Sequence, residues 1–172
     1  MILLCTAPYN GSHFMVHMLE NTGADWAHCH IYHNHEVHID EHWVWDEMLI
    51  ATRNPWHSLY TAWQREGSIE RQMRRIKRSI RWIDKYNADH VQIESFNGPV
   101  VGSIKHSRTD EPTYDRPSIE YLCECLGYPT EFDWGEYTQL RETGPTRDEL
   151  SHTKAEGRRK LHRTRKDENA TN

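Results

Sequence analysis

Two kinds of hydrophobic pattern take turns along the chain. Ile2 to Cys5 is an unbroken apolar run, and Met48 to Ala51 is another. Runs this short, with no polar interruption, predict strands buried on both faces, as in a parallel sheet. A break and then a helical period follow each. After the first run come Pro8 and Gly11, then Phe14, Met15, Met18 and Leu19 on one helical face. Ser12 is the expected helix N-cap and Gly23 the expected stop. After the second run come Arg53, Asn54 and Pro55, then a helix from about Trp56, with the proline where a first turn tolerates it. Residues 68 to 86 carry the clearest helix. Ile69, Met73, Ile76, Ile80 and Ile83 recur every three or four positions and belong to a core. Arg71, Arg74, Arg75, Lys77, Arg78 and Arg81 occupy its other faces. Cys29 to Tyr32 alternates like a strand ending at His33, and Val91 to Ile93 reads as a further strand. Pro117 and Ser118 open a helix that ends at Gly127, residues 98 to 117 are turn-rich, and Glu131 to Pro145 reads as irregular. Strands alternating with helices predict an α/β fold of three layers, a central and mostly parallel sheet flanked by helices. Residues 1–150 are expected to form one domain, and 151–172 a basic tail that is partly disordered.

Composition narrows the setting. A chain of 172 residues, 36% of them hydrophobic, can bury one proper core. No run approaches the roughly 18 apolar residues of a membrane span, so none is expected. Met1 to Thr6 is too short for a signal peptide and lacks its basic start, which predicts a cytoplasmic protein. Cys5, Cys29, Cys123 and Cys125 fit neither a disulfide framework nor a CxxC pattern. The net charge of -5 hides basic stretches at Arg65 to Lys85 and Lys154 to Lys166. Such stretches are either solvated helix faces or anion sites. The acidic balance and the lack of a reader motif exclude long nucleic acid as the expected partner.

The candidate chemistry sits where strands end. Strand, glycine turn and helix together aim backbone N–H groups and the positive helix end at one point, a cradle for a phosphate-like anion. Any strand-to-helix turn shares part of that description. Arg53 at the end of a parallel strand, with Thr61 two turns into the next helix, supplies ligands for a second anion. Ligand sites in open parallel sheets lie at these carboxyl ends.

These segments resemble the sulfotransferases that use 3'-phosphoadenosine 5'-phosphosulfate (PAPS). Pro8-Tyr9-Asn10-Gly11-Ser12-His13 is similar in place and shape to the family's Pro-Lys/Arg-Ser-Gly-Thr-Thr loop, which holds the 5'-phosphosulfate. Arg53-Asn54-Pro55 resembles the Arg-Asn/Asp-Pro motif that binds the 3'-phosphate, and Thr61 falls on its serine position. "HVQIESFNGP" is similar to the strand ending in Glu-Asp-Leu, with Glu94 in the glutamate place, and "PSIEYLCECLGYP" to the helix that follows. The resemblance covers about two thirds of the chain. It implies a P-loop NTPase-like sulfotransferase fold, PAPS as co-substrate, no required metal, and a small-molecule, glycan or peptide acceptor that it does not name. Tyr9, Asn10, Gly11, Ser12, His13, Arg53 and Thr61 are then the cofactor-binding set. The loop's basic residue is replaced by Tyr9, and its second threonine by His13, which supplies a cationic donor when protonated. The family's base is a histidine some twenty residues before the arginine; His33 stands there, with His30 and His35 as rivals. The tail's Gly157-Arg158-Arg159-Lys160 loosely resembles a C-terminal Arg-Lys-Gly contact to the 3'-phosphate.

Three other readings stay open. His28-x-His30, His33-x-His35 and the His38/His42 pair have metal-ligand spacings. A P-loop nucleotide kinase would share the architecture but needs a Gly-Lys-Ser/Thr that is absent. Tyr9 also suits a degenerate member that binds nucleotide, or a partner, without catalysis.

Overall fold

The computed structural model describes residues 1–32, 44–96 and 113–132. Four parallel strands form its sheet in the order β2-β1-β3-β4, with β1 at Ile2–Thr6, β2 at Trp26–His30, β3 at Glu47–Thr52 and β4 at Asp89–Gln92. The helices are α1 (Ser12–Thr22), α2 (Pro55–Glu66), α3 (Ile69–Tyr86) and α4 (Arg116–Cys125).

The two apolar runs are the two central strands, and both faces of the sheet are covered. Leu3, Cys5, Ala27, Cys29, Met48 and Ile50 pack on one face with Trp82 of α3. Leu4, Trp26 and Ala51 pack on the other with Phe14, Met15, Val16 and Leu19 of α1. A third cluster joins α2, α3 and α4 through Trp56, Leu59, Ile76, Ile119 and Leu122. The expected α/β arrangement, a parallel sheet with helices, is therefore present.

Chain order places the ligand crevice. From β1 the chain runs through α1 to β2 on one side, then returns to β3 on the other side of β1. Thr6 lies beside Ala51, so the segments leaving β1 and β3 emerge side by side where the strand order reverses.

Several boundaries differ from expectation. β2 begins at Trp26 and ends at His30, because it takes its register from β1, with Thr6 opposite His30; His33 lies outside the described residues. β4 stops at Gln92, and Ile93–Phe96 turns as a short 3₁₀ helix. α1 is capped by Gly11 rather than Ser12, which is its first helical residue, and no side chain caps it. α2 starts at Pro55 with Asn54 as N-cap, its side chain accepting from the Trp56 N–H. α3 buries more than its isoleucine stripe. Gln72, Arg75 and Ser79 are buried as well, so Arg75 belongs to an interior face. Most of residues 98–117, all but the first residues of 131–145 and the whole tail lie outside the described residues.

No helix among the described residues is long and apolar enough to cross a membrane.

Candidate functional site

The loop between β1 and α1 is a tight turn. Asn10 N–H donates to Ala7 O at 3.2 Å, with Pro8 and Tyr9 between them. Proline suits the second position of such a turn, and in its type II form the third takes a positive φ. Tyr9 supplies it at +66°, a conformation that costs a bulky residue about 1–3 kcal/mol. Gly11 follows at +74°, and a β-carbon there would meet Ile93 Cδ1 at 2.5 Å, so any other residue would take a strained φ and push the end of the Ile93 side chain aside. The first-turn N–H groups of α1 then open toward the carboxyl end of the sheet without a side-chain cap.

Two groups of contacts hold the turn. The Tyr9 hydroxyl donates to Glu66 Oε1 at 2.7 Å, and its ring lies 5.5 Å from the Arg65 guanidinium and 5.9 Å from that of Arg75. Burial, then the Glu66 carboxylate, push the phenol up to about 12. Burial by itself would raise the Glu66 carboxyl, but Tyr9, Arg75 and Arg71 together hold it below its ordinary value. On the inner side Gln72 Nε2 donates to Pro8 O at 2.6 Å and to Ser58 Oγ at 2.7 Å, and Ser58 Oγ donates to Asn10 Oδ1 at 2.6 Å. Asn10, Ser58 and Gln72 are all fully buried.

Arg53 leaves the end of β3 and faces this turn. Its Nη1 donates to Tyr9 O at 3.4 Å and to Thr61 Oγ1 at 3.5 Å, both long for such bonds. The residue is only 4% exposed, its Nε and Nη2 have no partner, and no carboxylate of the described residues pairs with it. A guanidinium keeps its charge at any accessible pH, so burial without a counter-ion is costly. Thr61 Oγ1 donates to His57 O at 2.9 Å, which commits its proton to the helix. His57 is buried next to Arg53; burial and then that charge push its imidazole down to about 2, so it is neutral. Its Nδ1 lies 3.9 Å from Glu94 Oε1, a contact without ionic character.

No family model, curated protein or solved structure matches this chain.

The site is accordingly read from its own residues. Glu94 closes the far side: Oε1 accepts from the Asn54 N–H at 2.8 Å and Oε2 from the Tyr128 hydroxyl at 2.9 Å. This fixes the N-terminus of α2, and so the direction of Arg53. Of the residues expected at the site, Tyr9, Asn10, Gly11, Ser12, Arg53 and Thr61 gather at the two neighbouring strand exits. His13 follows on the first turn of α1. Asn10 contributes its N–H to the turn itself, and the Tyr9 hydroxyl is turned to Glu66. His30 ends β2, its ring 4.6 Å edge-on from that of His28. His33, His35, His38 and His42 lie outside the described residues. Among the described residues no group of three or more His, Cys, Asp or Glu side chains is arranged to hold a metal ion. Sequence reasoning missed Ser58, Gln72 and Glu66. The one available signal was weak: Gln72, Arg75 and Ser79 repeat at helical spacing beside the isoleucine stripe.

Proposed function

We propose that this chain binds PAPS on a sulfotransferase-type P-loop fold and transfers its sulfuryl group to a hydroxyl or amine acceptor, releasing adenosine 3',5'-bisphosphate. The observation that carries the reading is Arg53, a buried guanidinium with no counter-ion among the described residues, beside a helix N-terminal loop. Main-chain N–H groups of residues 9 to 13 other than Asn10, with the Ser12 hydroxyl, would receive the 5'-phosphosulfate. Arg53 would receive the 3'-phosphate, with Thr61 beside it once its hydroxyl proton turns from His57 O to the anion. The acceptor oxygen or nitrogen attacks sulfur, the bond from sulfur to the phosphate oxygen breaks, and the electron pair leaves with the bisphosphate. The acceptor's proton goes to a histidine following β2: His33 on the family pattern, with His30 at the strand end and His35 as rivals. His13 is the loop's cationic donor when protonated. No metal takes part in this scheme, and the cytoplasmic setting expected from the sequence belongs to the same proposal.

The bond from Tyr9 to Glu66 favours a second reading, binding without turnover. The side chain in the place of the family's basic residue is neutral and already donating. Calorimetric titration with adenosine 3',5'-bisphosphate against ATP tests the first reading; selective bisphosphate binding supports it, and tight ATP binding with no bisphosphate binding contradicts it. Sulfuryl transfer from labelled PAPS to a broad acceptor panel separates transfer from binding alone.

A further inference from the structure

The amide of Asn10 has its orientation set by a directed chain of hydrogen bonds. Glu66 carries only acceptor oxygens, and Arg75 Nη1 donates to them at 3.1 and 3.2 Å. The same Nη1 donates to Gln72 Oε1 at 3.1 Å, which identifies the oxygen end of that side chain. Gln72 Nε2 then spends its two hydrogens on Pro8 O and Ser58 Oγ. Ser58, having accepted, directs its one proton to Asn10 Oδ1. What remains is Asn10 Nδ2, a buried donor with no partner among the described residues. Turning the amide round would leave the Ser58 proton and the Asn10 oxygen unmatched instead, so the chain permits one polarity.

We propose that the Asn10 side chain is an anion-donating group of this site, and that Ser58 and Gln72 are positioning residues that hold its NH₂ in the donating orientation. The inference rests on the anion-site reading of the loop given above, and concerns residues with no part in that reading beyond Asn10's place in the loop. The Asn10 main-chain N–H is committed to Ala7 O, so its side chain is what this residue has to offer. The preceding residue's carbonyl accepts from Arg53 Nη1, whose Nε and Nη2 share the same condition, buried and without a partner. Unmatched amide and guanidinium donors, linked through the Tyr9 carbonyl, call for a group rich in acceptor oxygens, a phosphate or sulfate. Because these donors are covered in the free protein, an entering anion must displace what shields them, and the measured affinity includes that cost.

The test uses the full chain and two probes, adenosine 3',5'-bisphosphate and inorganic sulfate. Asn10→Asp keeps the shape but replaces the NH₂ with a second oxygen and adds a negative charge, and it is expected to weaken binding about tenfold or more, through the lost hydrogen bond and like-charge repulsion. Ser58→Ala and Gln72→Glu are expected to weaken it severalfold. In the wild-type protein the Asn10 side-chain amide resonances are expected to move downfield on saturation with either probe, and in Ser58→Ala to lose that shift. Loss of packing elsewhere in the fold would not produce this signature. The proposal is overturned if the wild-type resonances do not move, or if Asn10→Asp binds within twofold of wild type. Bisphosphate binding with no Asn10 response overturns it while leaving the nucleotide reading intact. Asn10-dependent sulfate binding without bisphosphate binding supports it and removes the nucleotide. Should Asn10→Asp not fold, the wild-type resonances decide.

Discussion

Ile93, the first residue beyond β4, occupies the space a side chain on Gly11 would need, with Cδ1 at 2.5 Å and Cγ2 at 3.2 Å from the β-carbon position. The floor of the loop is thus made by the residue that follows β4, a strand two places from β1 in the sheet. Gly11→Ala is expected to destabilise the fold by about 2–3 kcal/mol, combining a left-handed φ with overpacking. In an Ile93→Val background the Cδ1 collision is gone but the φ strain stays, so the penalty should shrink by about 1 kcal/mol. Urea unfolding of the four proteins measures this coupling. An equal penalty in both backgrounds would mean that Ile93 is not what enforces glycine.

Tyr9 is predicted to stay protonated well beyond the ordinary tyrosine range. Burial and its bond to Glu66 push its phenol to about 12. The ultraviolet difference between wild type and Tyr9→Phe should therefore show no phenolate at pH 10 and only a minor fraction at pH 11. A component titrating near 10 would mean that the hydroxyl is not held by Glu66. The same variant should lose about 1 kcal/mol or less of stability, because Glu66 is partly exposed and its interactions are screened.

The sequence carried the frame of this site more clearly than its interior. Ile2 to Cys5 and Met48 to Ala51 showed as strands because a sheet covered on both faces admits no polar alternation. The isoleucine stripe of α3 showed because its period is that of a helix. Alternation misled at Cys29 to Tyr32, where the observed strand starts at Trp26 and its limits come from pairing with β1. Arg53 and the Gly11 turn were legible because each is fixed by chain geometry at a strand end, and Thr61 because helical spacing brings it back toward Arg53. Ser58, Gln72 and Arg75 were not, since a buried polar side chain on a charged helix looks like a solvated one until its partners are known. Nor does Tyr9 announce a positive φ. That conformation is imposed by the turn and by the contacts made to its ring and hydroxyl.

His57 should give stability an acid dependence of known sign. Above its ordinary value of 6.5 it is neutral whether folded or unfolded. Below that the unfolded chain takes up a proton that the folded protein refuses down to about 2. Stability therefore falls with pH across this window, by at most about 1.4 kcal/mol per pH unit from this residue. Denaturation midpoints of wild type should drop faster than those of His57→Gln between pH 6.5 and 4. Parallel curves would contradict the neutral, buried assignment.

Arg53 is expected to cost the empty protein stability. Replacing a buried, unpaired charge with an apolar side chain is commonly neutral or stabilising, here by about 1–2 kcal/mol. Arg53→Leu should melt at or above the wild-type temperature in the absence of anions, and the wild type should gain more from added sulfate than the variant. A loss of several kcal/mol in Arg53→Leu would instead assign the guanidinium to a structural ion pair.

The most direct measurement is calorimetric titration of wild type and Arg53→Ala with adenosine 3',5'-bisphosphate under identical salt. Loss of a charge-assisted contact from a buried site predicts affinity reduced on the order of 100-fold in the variant, with the wild type preferring the bisphosphate to ATP. Equal affinity of the two proteins, or no heat from the wild type, would contradict the account.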